Sequence, residues 1–420
     1  MVIFSSLLDS ICESIQSASF LNSYRTKPTY FTRKRVLSFQ SIIVFILCLA
    51  KDSIGSTLSM PHVELPFRGK TCTKQAFSKH RSHIKSDAFL KLFHDTVRHL
   101  ESCAAFQKET WHGLRVFAVD GSKVNLPTHP ELVSAYGVQN STGNLPQALI
   151  SVIYDVFGKH IIDLLVARHD GNERLLAKTH IIALKKYIRQ PSVILFDRGY
   201  PSAELIEYLS KSGFYYLLRC PSTFLGSLSS SSSNAWVTHQ FGKTSRPLSF
   251  RIVSFTLPNG PTETFCTNLS DEFTPDMIAD LYRDRWAVET NYSFLKNRIQ
   301  IENLSGVTLN SFLQELYAAM VITNLCAAHY ADLRYLEAPA SDLQGHTRER
   351  RINFSSLLSI TKSSVSKMAL GLTRFRQFIE EELHVENLRN LIHYLSSDSS
   401  KPRIRAHPGV KYPQSQRGSY

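Results

Sequence analysis

Five short apolar runs between residues 114 and 218, divided by two helix-length stretches, constrain what this chain can fold into. Residues 114–119 read as a buried strand closed by Asp120-Gly121-Ser122. Residues 147–156 and 160–168 flank Gly158 and read as a hairpin. Residues 172–189 have helical character, which Pro191 ends. The buried run 193–196 stops at Asp197. Residues 201–212 read as a helix with Pro201 suited to its first turn, and 213–218 as a last strand. The predicted order is β-β-β-α-β-α-β, an α/β core with an acid at the end of the first and fourth strands. A strand end is rigid and open on one side, so a carboxylate there can face a ligand. A single Asp-Gly more often only starts a turn.

The 420-residue chain exceeds one ordinary core, and two or three domains are expected. Residues 1–110 read as a helical N-terminal region and 111–335 as the α/β domain. A β insertion is expected at about 220–272, where a serine run at 229–233 precedes strand-like stretches around Pro258-Asn259-Gly260. A helix starts near Thr274-Pro275 and a longer one spans about 309–335. Residues 336–420 read as helical and basic, with Arg348, Arg350 and Arg351 close together and a disordered tail whose last twenty residues hold no acid.

The formal charge of +13 points to a polyanionic partner, nucleic acid first and an anionic membrane surface second. Between residues 68 and 85 lie Arg68, Lys70, Lys74, Lys79, Arg81 and Lys85 with no acid. From Thr73 onward this stretch reads equally well as a helix-turn-helix-like DNA reader or as a solvated basic face. Seven scattered cysteines without a C-x-x-C pair argue for a reducing compartment and against a zinc ribbon or disulfide framework. The apolar run 42–50 is too short to cross a bilayer, which takes about 20 residues, and reads as a buried helix. No signal peptide is expected.

The segment 282–296 carries Tyr282, Arg285, Glu289 and Lys296 at offsets of 0, 3, 7 and 14. On one straight α-helix, at about 100° per residue, the four fall within roughly 60° of one face. Leu281, Val288, Tyr292 and Leu295 fall on an adjoining packing face. Arg285 and Glu289 alone read as a surface i,i+4 ion pair worth a few tenths of a kcal/mol. That reading leaves Tyr282, Lys296 and the strand-end aspartates unexplained. Gathered together, Asp120, Asp197 and Glu289 would repel unless cations compensate. Two Mg²⁺ ions, about 3.5–4 Å apart, would compensate them and clamp both oxygens of a phosphodiester displacement. Arg285 and Lys296 then suit flanking phosphates, and Tyr282 suits a phosphate or a metal ligand. Asp155, Asp163 and Asp170 are competing acids.

These residues closely resemble the DDE transposases of bacterial insertion sequences with the Tyr-(2)-Arg-(3)-Glu-(6)-Lys signature. The resemblance rests on VFAVDGSKVNLP, VILFDRGYPSAELIEYL and YRDRWAVETNYSFLKNRIQIENLSG, covers about 110–335, and extends loosely to FTRKRVLSF and TKQAFSKHRSHI upstream. It implies a ribonuclease-H-like catalytic fold with a β insertion between the second Asp and the Glu. It implies cut-and-paste movement of a DNA element, with hydrolysis at its ends and 3′-hydroxyl attack on target DNA. Asp120, Asp197 and Glu289 become the catalytic, Mg²⁺-binding triad, for which Mn²⁺ can substitute. Tyr282, Arg285 and Lys296 become DNA contacts, with Arg198 beside the second aspartate a further candidate. A homodimer on paired ends, in a bacterial cytoplasm at the nucleoid, completes the expectation. Two alternatives stay open: an inactive DNA-binding descendant, and a ribonuclease-H-like nuclease without strand transfer.

Overall fold

The computed structural model describes residues 2–33, 36–49, 72–106, 108–139, 145–221, 224, 234–241, 247–256, 262–337, 340–341, 347–369 and 392–395. The serine run, the Pro258-Asn259-Gly260 turn, the cations Arg68 and Lys70 and the basic tail lie outside the described residues. The chain divides into two compact units. The first comprises Met1–Phe106, Asn125–Ala135 and Leu295–Tyr420, and the second Gln107–Val124 and Tyr136–Phe294.

The second unit is built on a nine-stranded mixed sheet. Its strands are β1 (Arg115–Asn125), β2 (Val138–Gln139), β3 (Leu145–Asp155), β4 (Ile161–Arg168), β5 (Ser192–Phe196), β6 (Tyr215–Cys220), β7 (Asn234–His239), β8 (Leu248–Thr256) and β9 (Thr262–Thr267). The order is β2-β3-β1-β5-β6-β9-β8-β7, with β4 paired to β3. β1, β5 and β6 run parallel, Phe117 opposite Ile194 and Ile194 opposite Tyr216. Residues 115–119 of β1, all of β5 and residues 216–218 of β6 are buried, as expected of a parallel sheet covered by helices. The crossovers use the helices Glu173–Tyr187 and Ala203–Ser210. This is the anticipated ribonuclease-H-like order.

Three details differ from the sequence reading. β1 does not stop before Asp120 but runs through it to Asn125. The residues of the β insertion do not form a separate body, since β9 pairs antiparallel with β6 and carries the sheet on through β8 and β7. The third is the helix at 275–299. It is not one straight α-helix but Pro275–Asp284, Trp286–Phe294 and a π-helical turn Leu295–Ile299. At the first junction the Arg285 N–H donates to the Tyr282 carbonyl and the Val288 N–H to the Arg285 carbonyl, i−3 bonds that tighten the turn. The single 60° stripe from Tyr282 to Lys296 therefore does not exist as such.

A buried ion pair locks the sheet. Arg115 at the start of β1 bonds Asp155 at the end of β3, both almost fully buried. Asp155 Oδ1 also accepts from the N–H groups of Phe157 and Gly158. A side chain at Gly158 would sit 2.8 Å from His160 Nδ1 and 3.0 Å from the Asp155 carboxylate, so the hairpin needs glycine there.

The first unit is mainly helical. Its centre is the helix Leu309–Leu333, opened by a Thr308–Ser311 capping box and buried along most of its length. Against it pack Val2–Gln16, Asp87–Ser102, Phe39–Leu47 and Phe354–Ala369. The apolar run beginning at residue 42 is indeed a buried helix. The helix Lys74–Arg81 buries its last residue: Arg81 donates to Gln314, Ser305 and the Ser311 carbonyl and pairs with Glu315. Arg81 is thereby structural, whichever reading of the basic stretch holds. The stretch expected to be helical from residue 336 includes a three-stranded sheet of Ala340–Ser341, Thr347–Arg351 and Ile392–Leu395. All seven cysteines are free, with Cys12, Cys220, Cys266 and Cys326 buried. Among the described residues no helix is long and apolar enough to cross a membrane.

Candidate active site

Asp120, Asp197 and Glu289 all lie in the second unit, on β1, just beyond β5 and on the helix Trp286–Phe294. Asp120 is the most enclosed. Its Oδ1 accepts from the Gly121 N–H at 2.9 Å. Burial pushes its carboxyl up to about 6, against the lowering pull of that N–H and of Arg285, and the charges of Asp197 and Glu289 raise it further. Asp120 thus feels the other two acids, although they come from distant parts of the chain. Asp197 and Glu289 keep 39% and 37% of their side chains exposed.

The signature residues act on these carboxylates. The Tyr282 hydroxyl donates to Asp197 Oδ1 at 3.2 Å, and its own ionisation is pushed upward by burial. Arg285, only 3% exposed, bonds Glu289 Oε1 at 2.5 Å. Its guanidinium lies 5.4 Å from the Tyr282 ring centroid. Burial alone would lower the Arg285 pKa, but Tyr282, Glu289 and Asp197 raise it. Both residues, anticipated as DNA contacts, are placed here on the carboxylates. Lys296 is half-buried in the π-helical turn and belongs to the first unit. Arg198 is half-exposed, 3.6 Å from Glu263.

Sequence reasoning missed Arg219, Glu263 and the role of Tyr292. Arg219 on β6 pairs with Glu263 on β9, stands 3.7 Å from Asp197 and lies 5.9 Å from the Tyr282 ring centroid. A lone arginine within the apolar run 213–218 and its flank was the available signal. Tyr292, assigned only to packing, holds its hydroxyl 2.9 Å from the carbonyls of both Asp120 and Ile150, and can donate to one at a time. Nothing in an apolar helix face announces such a bond.

The competing acids are accounted for. Asp155 is spent on Arg115, and exposed Asp170 pairs with Arg168 at 3.3 Å. Asp163 lies 2.8 Å from His180 Nδ1, and His180 Nε2 lies 2.9 Å from Ser151 Oγ. This chain has the order of a nucleophilic triad, but His180 and Ser151 are 0% exposed and no substrate can reach them. Ser151 Oγ lies 3.4 Å from the Asp120 carbonyl, so the chain braces β3 against β1.

Among the described residues no three His, Cys, Asp or Glu side chains stand close enough together to hold a metal ion as placed. The chemistry of the donors fits one nonetheless. They are hard oxygen ligands, and a divalent cation would relieve the charge repulsion that falls on Asp120.

A family model described as "Transposase DDE domain" matches residues 111–325. The InsZ transposase sequence of Escherichia coli (strain K12) is 27% identical over 146 residues, covering 33% of this chain and 46% of that protein. The sequence named as the transposase for insertion sequence element IS5377 of Geobacillus stearothermophilus is 29% identical over 143 residues, covering 31% of this chain and 37% of that protein. The matches span less than half the length of each relative. A cryo-EM structure of the piggyBac transposase synaptic complex with hairpin DNA superposes with a TM-score of 0.51 at 10% identity, covering 90% of this chain and 85% of that one, which speaks for the fold. The match over half the chain, with the sheet order and the position of its acids, shows that this protein belongs to the family of transposase DDE domains.

Proposed function

We propose that this chain is a DNA transposase that cuts phosphodiester bonds at the ends of an insertion sequence and joins the freed 3′-hydroxyls to target DNA. One observation carries the reading. Asp120, Asp197 and Glu289 come from three separate elements of the family's own domain and are tied together: the Tyr282 hydroxyl donates to Asp197, Arg285 beside the Tyr282 ring bonds Glu289, and the charges of Asp197 and Glu289 bear on Asp120.

Asp120, Asp197 and Glu289 would hold the divalent ions, Mg²⁺ with Mn²⁺ as substitute. Bound there, such ions lower the pKa of an attacking hydroxyl and stabilise charge on a leaving oxygen. The chain's own residues do the rest. Tyr282 fixes Asp197 through its hydroxyl, and Arg219 adds positive charge beside the same carboxylate. Arg285 pairs with Glu289 and cancels part of its charge. Tyr292 and Gly121 fix the backbone and carboxylate of Asp120. Arg198 and Lys296 are the cations proposed to take flanking phosphates, with Tyr282 and Arg285 kept as further proposed DNA contacts. In cleavage, water adds to phosphorus and the 3′-oxygen leaves with a proton. In joining, that 3′-hydroxyl attacks a target phosphorus and displaces the target's own 3′-oxygen. The phosphodiester count is unchanged by the second step, so no external energy source is required. We propose a homodimer acting on paired ends at the nucleoid.

The test is strand joining. A labelled duplex bearing one terminus of the DNA around the coding sequence, with its 3′-hydroxyl exposed, is incubated with plasmid, protein and Mg²⁺ or Mn²⁺. The proposal requires label to move into plasmid. Cutting of the uncleaved duplex without any joining would establish a nuclease instead.

A further inference from the structure

We infer that Glu263 is a positioning residue for DNA binding: its carboxylate holds the guanidinium of Arg219, with Arg198 beside it, as a phosphate-binding pair next to Asp197. The inference rests on the DNA-cutting reading above and gives a role to an acid that reading leaves out.

The contact follows from sheet register. β9 runs antiparallel to β6, with Phe265 opposite Arg219. Side chains alternate along a strand, so Glu263 lies on the same face as Phe265, two residues away. A long acid and a long base in such diagonal positions reach one another. Thr264, between them, points to the other face, where its Oγ1 lies 3.1 Å from Ser254 Oγ on β8. Phe265 is buried, and its ring lies 4.7 Å from the Tyr282 ring, edge to face. Tyr282 in turn holds Asp197. One face of β9 thus meets the neighbours of Asp197 twice, through Phe265 on Tyr282 and through Glu263 on Arg219.

The charges say what Glu263 does there. It is 8% exposed, and a carboxylate so enclosed needs cationic partners. Among the described residues these are Arg219 and, at 3.6 Å, Arg198. Arg219 also stands 3.7 Å from Asp197 Oδ1, beyond hydrogen-bonding distance, while the Tyr282 hydroxyl donates to that same oxygen at 3.2 Å. Glu263 therefore keeps Arg219 from closing onto Asp197. Its bond to Arg219 runs through Nη2, which leaves the Nη1 N–H groups for another acceptor. Two arginines share one acid, and Arg198 is half-exposed. Positive charge in excess beside Asp197 suits a phosphate oxygen, which a guanidinium binds through charge-assisted N–H bonds. An arginine carried on a strand and fixed by a buried partner is already oriented for that contact.

Equilibrium binding of a labelled duplex bearing one terminus of the DNA around the coding sequence, read by fluorescence anisotropy in EDTA at several salt concentrations, tests this apart from cleavage. Arg219→Gln should weaken binding about 10-fold and flatten the salt dependence by about one phosphate's worth. Glu263→Gln removes a negative charge, so loss of an acid that merely screened the arginines would tighten binding. The positioning role requires the opposite sign: binding weaker by a similar factor, with no further loss when Glu263→Gln is added to Arg219→Gln. Glu263→Asp keeps the charge but withdraws it from Arg219, should weaken binding in the same direction, and serves if Glu263→Gln fails to fold. If Arg219→Gln weakens binding while Glu263→Gln and Glu263→Asp match or exceed wild type, the positioning role is refuted and the DNA contact stands. If neither Arg198→Gln nor Arg219→Gln changes affinity or slope, no phosphate is held beside Asp197, and the DNA-cutting reading loses its contact there together with this inference.

Discussion

Asp120→Asn should make the metal-free protein more stable while destroying its function. The Asp120 carboxyl rests at about 6 in the folded chain against an ordinary value of 3.8, mainly because burial disfavours its charge. Between those two values the folded state binds more protons than the unfolded one. Its contribution to stability is thus fully present below about pH 4 and is lost as pH rises through about 6. At pH 8 the charged carboxylate costs about 2–3 kcal/mol, at 1.36 kcal/mol per pKa unit. Asparagine keeps the oxygen that accepts from the Gly121 N–H and removes the charge. The thermal transition of the second unit should rise by roughly 4–12 °C at pH 8 in EDTA, taking 2–4 °C per kcal/mol for a domain of this size. At pH 4 the gain should vanish. Scanning calorimetry of wild type and variant at pH 8, 6 and 4 reads this directly. A difference independent of pH, or a variant less stable at pH 8, would show that burial does not hold the charge of Asp120 at a cost.

The remaining predictions follow from single contacts. Tyr282→Phe removes the hydroxyl that holds Asp197 and should lower stability by only about 1 kcal/mol while weakening Mn²⁺ binding about 10-fold or more. Unaltered metal affinity would leave Tyr282 a packing residue. His180→Ala breaks the buried chain behind Asp120 and strands Asp163, so chemical denaturation should show a loss of about 3 kcal/mol or more. A serine-reactive fluorophosphonate should leave Ser151 unmodified, and labelling there would contradict the bracing role. Lys296→Ala should reduce DNA binding and flatten the salt dependence of affinity by about one phosphate's worth. An unchanged slope removes Lys296 from the phosphate contacts.

Much of the second unit is legible because its strands are short and apolar and its breakers stand at their ends. Pro191 and Asp197 bracket β5, and Gly158 marks the hairpin. Other features have no local signal. β1 continues past Asp120 although Gly-Ser follows, since neighbouring strands hold it there. The π-helical turn ends on Gln300 with φ +59°, and the Ile301 N–H closes it onto the Leu295 carbonyl. Glycine usually occupies such a position, so a glutamine gives no warning. The ion pair between Arg285 and Glu289 was visible as i,i+4 spacing, but its burial depends on Tyr282 and the surrounding packing, which spacing does not contain.

The central claim is that Asp120, Asp197 and Glu289 together run metal-dependent phosphodiester chemistry. Its most direct test is cleavage of an end-labelled duplex, taken from the DNA flanking the coding sequence, by wild type, Asp120→Asn, Asp197→Asn and Glu289→Gln in Mg²⁺. The account predicts cleavage by wild type alone, with each variant reduced by more than about 100-fold, the scale on which losing one charge-stabilising group acts. Cleavage by Glu289→Gln at the wild-type rate would contradict it.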